Sequence, residues 1–170
     1  MMGFSTGPPT KRTGAPADGG GNCTACHATF TPANSDPTGS VRIDLSNYAP
    51  GVKQTIKVTV SHPLAVRWGF QITARLVSDE TKVAGTFASN DAVKIVCDDA
   101  SNIRGIPAPC AAGLPEFAEH VLAPVTAAGA GFTFSFDWTP PASDVGDIVF
   151  YAAGNAANNS LSPAGDRIYT

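Results

Sequence analysis

Residues 23–27 read Cys-Thr-Ala-Cys-His, a C-x-x-C-H string of the kind that attaches c-type haem. The chemistry explains the spacing. Two thiols three positions apart on one turn reach the two vinyl groups of a single porphyrin and form thioethers. The imidazole that follows then falls beneath the iron as an axial ligand. On this reading Cys23 and Cys26 anchor one covalently held haem c, and His27 is its proximal ligand. Three other chemistries use the same residue types. A dithiol oxidoreductase expects C-x-x-C in a βαβ setting, which is missing here. A zinc site from Cys23, Cys26, His27 and a remote cysteine has no second C-x-x-C to draw on. The third is a plain disulfide within the pair.

The iron has further candidates for its other face. The chain holds three histidines and two methionines. His62 closes a strand-like run just before Pro63, and His120 sits in Glu116-Phe117-Ala118-Glu119-His120-Val121; the residues alone do not separate them. Met1 and Met2 lie at the terminus, and a five-coordinate iron is also open. The remaining cysteines, Cys97 and Cys110, flank a polar, proline-containing stretch. In an oxidising compartment they read as a disulfide closing that loop, worth about 3 kcal/mol in the chain-entropy picture. A functional thiol pair is the other reading, and neither cysteine has a basic neighbour to support it.

Thioether attachment of haem takes place outside the cytoplasm, so the motif implies an extracytoplasmic protein of the periplasm, cell surface or medium. The opening residues, Met-Met-Gly-Phe-Ser-Thr-Gly-Pro-Pro, show no basic stretch followed by an apolar one. The expectation is therefore an export signal not visible in this sequence, and no terminal anchor. With 170 residues and a net charge of −3, the chain lacks the basic footprint of a nucleic-acid binder. No apolar run is long enough to predict a transmembrane segment.

The elements that must position the motif are strands. Charged residues make up 15% of the chain, and 17 glycines and 14 prolines punctuate it, a texture of short connections rather than long helices. Ile56, Val58 and Val60 alternate with Lys57 and Thr59, and Phe132, Phe134, Phe136 and Trp138 alternate with Thr133, Ser135 and Asp137. Trp68, Phe70, Ile72, Ala74 and Leu76 do the same, with Gln71, Thr73 and Arg75 on the opposite face. Asp147–Ala153 is a more continuous apolar run, as for a strand buried on both faces. Weaker strands are predicted at Val41–Leu45, Lys82–Phe87, Val93–Cys97 and Phe117–Leu122, and the last residues read as a strand end. Beyond one turn after Cys26 no helix is predicted. Seven to nine strands at turn spacing make an all-β, antiparallel β-sandwich. Three parts follow: an extended Gly/Pro-rich tail over 1–22, a haem c attachment segment over 23–40, and the sandwich over 41–170. Trp68, Tyr48 and Phe30 are candidate porphyrin neighbours, with plain core as the competing role. Asn155 and Asn158 read as turn residues that satisfy backbone.

Several strings, in order along the chain, resemble a bacterial secreted family described as a choice-of-anchor domain with a Reeler-like β-sandwich and an N-terminal C-x-x-C-H. They include Thr6-Gly7-Pro8-Pro9, Arg67-Trp68-Gly69-Phe70-Gln71, Phe150-Tyr151-Ala152-Ala153-Gly154-Asn155-Ala156-Ala157-Asn158 and Gly165-Asp166-Arg167-Ile168-Tyr169. The resemblance implies a monohaem cytochrome c domain, exported and, in the family, often tethered to the cell surface; the terminal anchor that gives the family its label is not expected here. A Glu-His-Thr string of the family falls on Glu119-His120-Val121, which implies that His120 rather than His62 is the distal iron ligand; Val121 departs from that string. The Cys97–Cys110 stretch looks like a local insertion. The function this predicts is one-electron transfer to other redox proteins or cytochromes, with no catalysis. The competing role is a surface or assembly subunit in which the haem is structural and the tail lies on a partner.

Overall fold

The computed structural model describes residues 4–170. Met1 and Met2, candidate iron ligands by sequence, lie outside them. The described chain forms eleven strands: β1 Ser40–Asp44, β2 Gln54–Ser61, β3 Arg67–Leu76, β4 Asp79–Val83, β5 Thr86–Phe87, β6 Val93–Cys97, β7 Ile106–Pro107, β8 Glu116–His120, β9 Phe132–Thr139, β10 Ile148–Ala157 and β11 Arg167–Tyr169. They make an antiparallel sandwich of two sheets. One runs β1-β2-β9-β5; the other runs β11-β10-β3-β8-β6-β7, with β4 pairing the end of β3. The nine predicted strand regions are all present. The two short extras are β5, split from β4, and β7, inside the stretch between the cysteines. No helix among the described residues is long and apolar enough to cross a membrane.

Alternation decides which side chains meet between the sheets. The β2–β9 register sets Val58 opposite Phe134 and Ile56 opposite Phe136. Phe70 of the facing sheet stacks on Phe134 with ring centroids 4.3 Å apart. Trp138 is fully buried, and its indole N–H donates to the Ala84 carbonyl at 3.0 Å, so the one polar atom of that ring is satisfied. The predicted burial of Asp147–Ala153 is shifted along the strand: Ile148–Tyr151 are half-exposed, while Ala152–Gly154, Ala156 and Ala157 are buried. Small residues are needed there because the sheets approach closely; a Cβ on Gly154 would lie 2.9 Å from a Val60 methyl.

The outer face of β3 departs most from expectation. Gln71, Thr73 and Arg75 are all buried, not solvated. The cover comes from the N-terminal segment: within the Gly/Pro-rich tail expected over 1–22, residues 4–22 are held against the chain's own sheet. Arg12 N–H donates to Gln71 Oε1 at 2.7 Å, and Gln71 Nε2 donates to the Pro9 carbonyl at 3.0 Å. Arg75 reaches Asp18 at 2.7 Å, with side chains only 1% and 4% exposed. Asp18 ends a 3-10 turn over Pro16–Asp18. Burial raises its carboxyl above the ordinary range, against the opposing pull of the Arg75 charge.

Cys97 and Cys110 form the disulfide that their spacing predicted. The loop they close grips the same segment. Thr10 N–H donates to the Ile103 carbonyl at 3.0 Å, Lys11 pairs with Asp98 at 2.7 Å, and the Arg104 guanidinium lies 4.7 Å from the Phe4 ring centroid.

Because a buried carboxylate loses its partner, Arg75→Ala should cost about 3–5 kcal/mol at neutral pH and release the 4–22 segment to proteases. Asp44→Ala, which breaks the exposed Arg42–Asp44 pair, should cost under about 1 kcal/mol. Urea unfolding of the two variants checks this; equal losses would contradict the role given to the buried pair.

Candidate functional site

The C-x-x-C-H string forms a single 3-10 turn, Cys23–Ala25, rather than a turn after Cys26. Asn22 starts it: its side-chain oxygen accepts the Thr24 N–H at 2.9 Å. His27 N–H then donates to the Cys23 carbonyl at 3.0 Å, which closes the motif into one compact turn. Cys23 and Cys26 are free thiols, both half-buried. Loss of solvation pushes the Cys23 thiol up to about 12, against the lowering pull of Arg12. A dithiol oxidoreductase needs the opposite, a depressed thiol pKa. With Cys97 and Cys110 paired to each other, no remote cysteine is left for zinc, and the described residues hold no group of three His, Cys, Asp or Glu able to take a metal.

Beside this turn lies a cavity of about 300 Å³, within the size range of small-molecule and cofactor sites. Cys23, Cys26 and His27 form one wall. Phe4, Pro8 and Pro9 of the N-terminal segment form another, and Trp68, Gly69 and Phe70 of β3 a third. His120 at the end of β8, Asn155 of β10 and Asp166 close it. The walls are mainly apolar, with Arg12 and Arg67 among the lining side chains. Two buried polar atoms there have no partner: Arg12 Nε and Asn155 Oδ1.

The three histidines have different settings. His27 Nδ1 lies 2.7 Å from Asp166 Oδ2, so the ring donates Nδ1–H to the carboxylate. The Asn155 amide nitrogen lies 3.4 Å from both ring nitrogens. His120 is buried at the point where the β3–β8 ladder ends, one residue past Gln71↔Glu119. There the ring takes the place of a strand partner for Phe70: Nδ1 lies 3.2 Å from both the Phe70 nitrogen and oxygen, and Nε2 accepts the Gly7 N–H at 3.2 Å. Burial lowers its pKa to about 4, so it is neutral. Gly69 makes room for it, since a Cβ there would stand 2.9 Å from His120 Cε1.

His62 is away from the cavity. Its Nε2 lies 3.1 Å from Asp36 Oδ2, its Nδ1 accepts the Leu64 N–H at 3.1 Å, and its ring stacks on Tyr169. Asp36 also accepts from Thr38 and from Arg167 Nε at 2.6 Å, and hydrogen bonds led by those from Thr38 hold its carboxyl well below the usual range. That cluster binds the 23–40 segment to β11.

Of the aromatic candidates, only Trp68 lines the cavity, its N–H bound to Thr126 Oγ1 at 2.8 Å. Tyr48 packs edge-on to Trp138 and donates its hydroxyl to the Gly146 carbonyl at 2.8 Å; Phe30 lies under Arg167. Asn158 does serve a turn, its Oδ1 accepting the Ser160 N–H at 3.0 Å, whereas Asn155 sits in β10 against His27. The sequence reading gave Asp166 no role. The only available signal was its place in the Gly165-Asp166-Arg167 string, because it stands 139 residues from His27.

Among solved structures the fold is similar to the human F-spondin reeler domain, at 16% identity over 78% of this chain and 79% of that one, with a TM-score of 0.44. It is also similar to the Reelin-N domain of F-spondin, at 18% identity over 78% and 76%, TM-score 0.43. A third is the sixth cohesin of Acetivibrio cellulolyticus scaffoldin B, at 12% identity over 78% and 97%, TM-score 0.41. No family model matches the chain, and no curated protein does.

The buried groups of β8 make stability depend on pH in a separable way. Burial raises Glu119 from its ordinary 4.5 to about 7, against the hydrogen bond from Gln71 and the Lys94 charge. A carboxyl raised in the folded state favours folding fully below about 4.5, and that contribution is lost as pH rises through 7. His120, lowered to about 4 from 6.5, acts in the opposite sense, its contribution being lost as pH falls through that window. Glu119→Gln should therefore gain stability relative to the unsubstituted chain as pH rises from about 4.5 to 7.5. Denaturant melts across that range check it, and a pH-independent difference would contradict it.

Proposed function

We propose that this chain is an exported monohaem c-type cytochrome domain of the secreted choice-of-anchor kind, acting in one-electron transfer. The observation that carries the reading is the C-x-x-C-H turn opening onto a largely apolar cavity. The donor set fits the group. Cys23 and Cys26 are free thiols available for thioether bonds, and the bond from His27 Nδ1 to Asp166 leaves Nε2 as the ligating atom. The unpartnered Arg12 Nε suits a carboxylate group such as a porphyrin propionate; Arg67 also lines the cavity, its guanidinium bonded to the Ala123 carbonyl and Asn159. The haem would supply the redox chemistry at its iron; the chain supplies attachment, one axial ligand, burial and local charge. The disulfide supports an oxidising compartment.

His120 is the proposed distal ligand, since it is the one other imidazole at the cavity. As an iron ligand His120 would use Nε2, which now accepts the Gly7 N–H at 3.2 Å. His120→Ala should turn a low-spin absorption spectrum into a high-spin, carbon monoxide-binding one, while His62→Ala leaves it unchanged. A His120→Ala protein that stays low-spin would remove His120 from the iron.

A second reading is a surface or assembly module in which the haem is structural. It is favoured by the walls of the cavity, which belong to the N-terminal segment on one side and the sheet on the other, so a group held there joins the two. A spectroscopic redox titration with a second cytochrome as exchange partner separates the readings. Reversible one-electron behaviour with fast exchange supports the carrier; slow exchange supports the structural role; a protein with no redox-active absorbance overturns both.

A further inference from the structure

We infer that Asp166 is a positioning residue for the haem iron: its carboxylate fixes the tautomer and orientation of His27 and lends the imidazole anionic character that stabilises ferric iron. The inference rests on the haem reading above. His27 and Asp166 have side chains only 14% and 4% exposed, and their 2.7 Å contact is shielded from water. The carboxylate cannot swing away, because its other oxygen accepts the Asn158 N–H at 3.1 Å. Its backbone is set by Gly165, at φ +85°, whose N–H donates to Thr29 Oγ1 at 3.0 Å. That bond ties the residues just after the motif to the residue just before Asp166. The His27 backbone N–H bond to the Cys23 carbonyl fixes where its side chain starts, and the Asn155 amide nitrogen lies 3.4 Å from both ring nitrogens.

With Nδ1–H committed to a carboxylate, the lone pair of Nε2 is the one a metal would take, in place of the Asn155 amide nitrogen 3.4 Å away. A carboxylate on the outer nitrogen raises the basicity of the ligating one more than a neutral acceptor does. A more basic axial ligand favours the higher oxidation state, so the pair should hold the potential down.

Asp166→Asn keeps the size of the side chain and its oxygen for the Asn158 N–H. In the haem-loaded protein its ferric-to-ferrous ratio at a fixed ambient potential should fall at least tenfold, which is 59 mV for one electron. Asp166→Glu should recover part of that change. In the full chain produced without haem, nitrogen NMR should find His27 with its proton on Nδ1, and Asp166→Asn should mix the two tautomers. Equal ratios in loaded protein and variant, or an unchanged His27 tautomer, overturn the inference. Failure of the unsubstituted chain to take haem instead overturns the haem reading, and the NMR arm then stands by itself as the test of positioning.

Discussion

The N-terminal segment that walls the cavity ends on an ion pair between Asp18 and Arg75, both withdrawn from water on the outer face of β3. An unpaired charge in that position would cost several kcal/mol, so the outer face of the strand must be covered by something that supplies a carboxylate. The N-terminal segment does so, and in reaching Asp18 it crosses Gln71, Glu119 and the end of β8. Its earlier residues Phe4, Ser5, Pro8 and Pro9 form a wall of the cavity. The disulfide loop adds a second grip at Thr10 and Lys11. Gly7 is tight for the same reason: a Cβ there would collide with Glu119 Oε1.

The sandwich was legible because period-2 alternation reports one physical fact, that one face of each strand is buried. β2 and β9 follow it closely, with Ile56, Val58, Val60, Phe134, Phe136 and Trp138 all buried and their neighbours outward. The same logic misled at β3. Gln71, Thr73 and Arg75 look like a solvated face, yet a remote segment of modest hydrophobicity covers them with hydrogen bonds and one ion pair. Alternation carries no information about such a cover. A Gly/Pro-rich composition likewise does not say what would hold such a tail: its ordering comes largely from polar contacts and turns, with Pro9 and Ala15 buried.

The motif was legible at its own five residues, since the chemistry is local there. Its surroundings were not. Asp166 and Asn155 approach His27 only because β10 and β11 pair and bring residues well over a hundred positions away alongside the turn. His62 and His120 were indistinguishable by residue type. The fold separates them by what they touch: Asp36 and Tyr169 for one, the Phe70 backbone and the cavity for the other. Gly69 is also explained by His120, since no side chain fits between them.

Covalent attachment is the claim on which the rest of the functional account stands. The direct measurement is the intact mass of the protein, produced in an extracytoplasmic compartment with haem-attachment machinery, after denaturation in acid and extraction with organic solvent. The account predicts a single species one haem heavier than the polypeptide, reduced to polypeptide alone in the Cys23→Ser, Cys26→Ser double variant. A colourless polypeptide, or haem that leaves with the solvent, would contradict it.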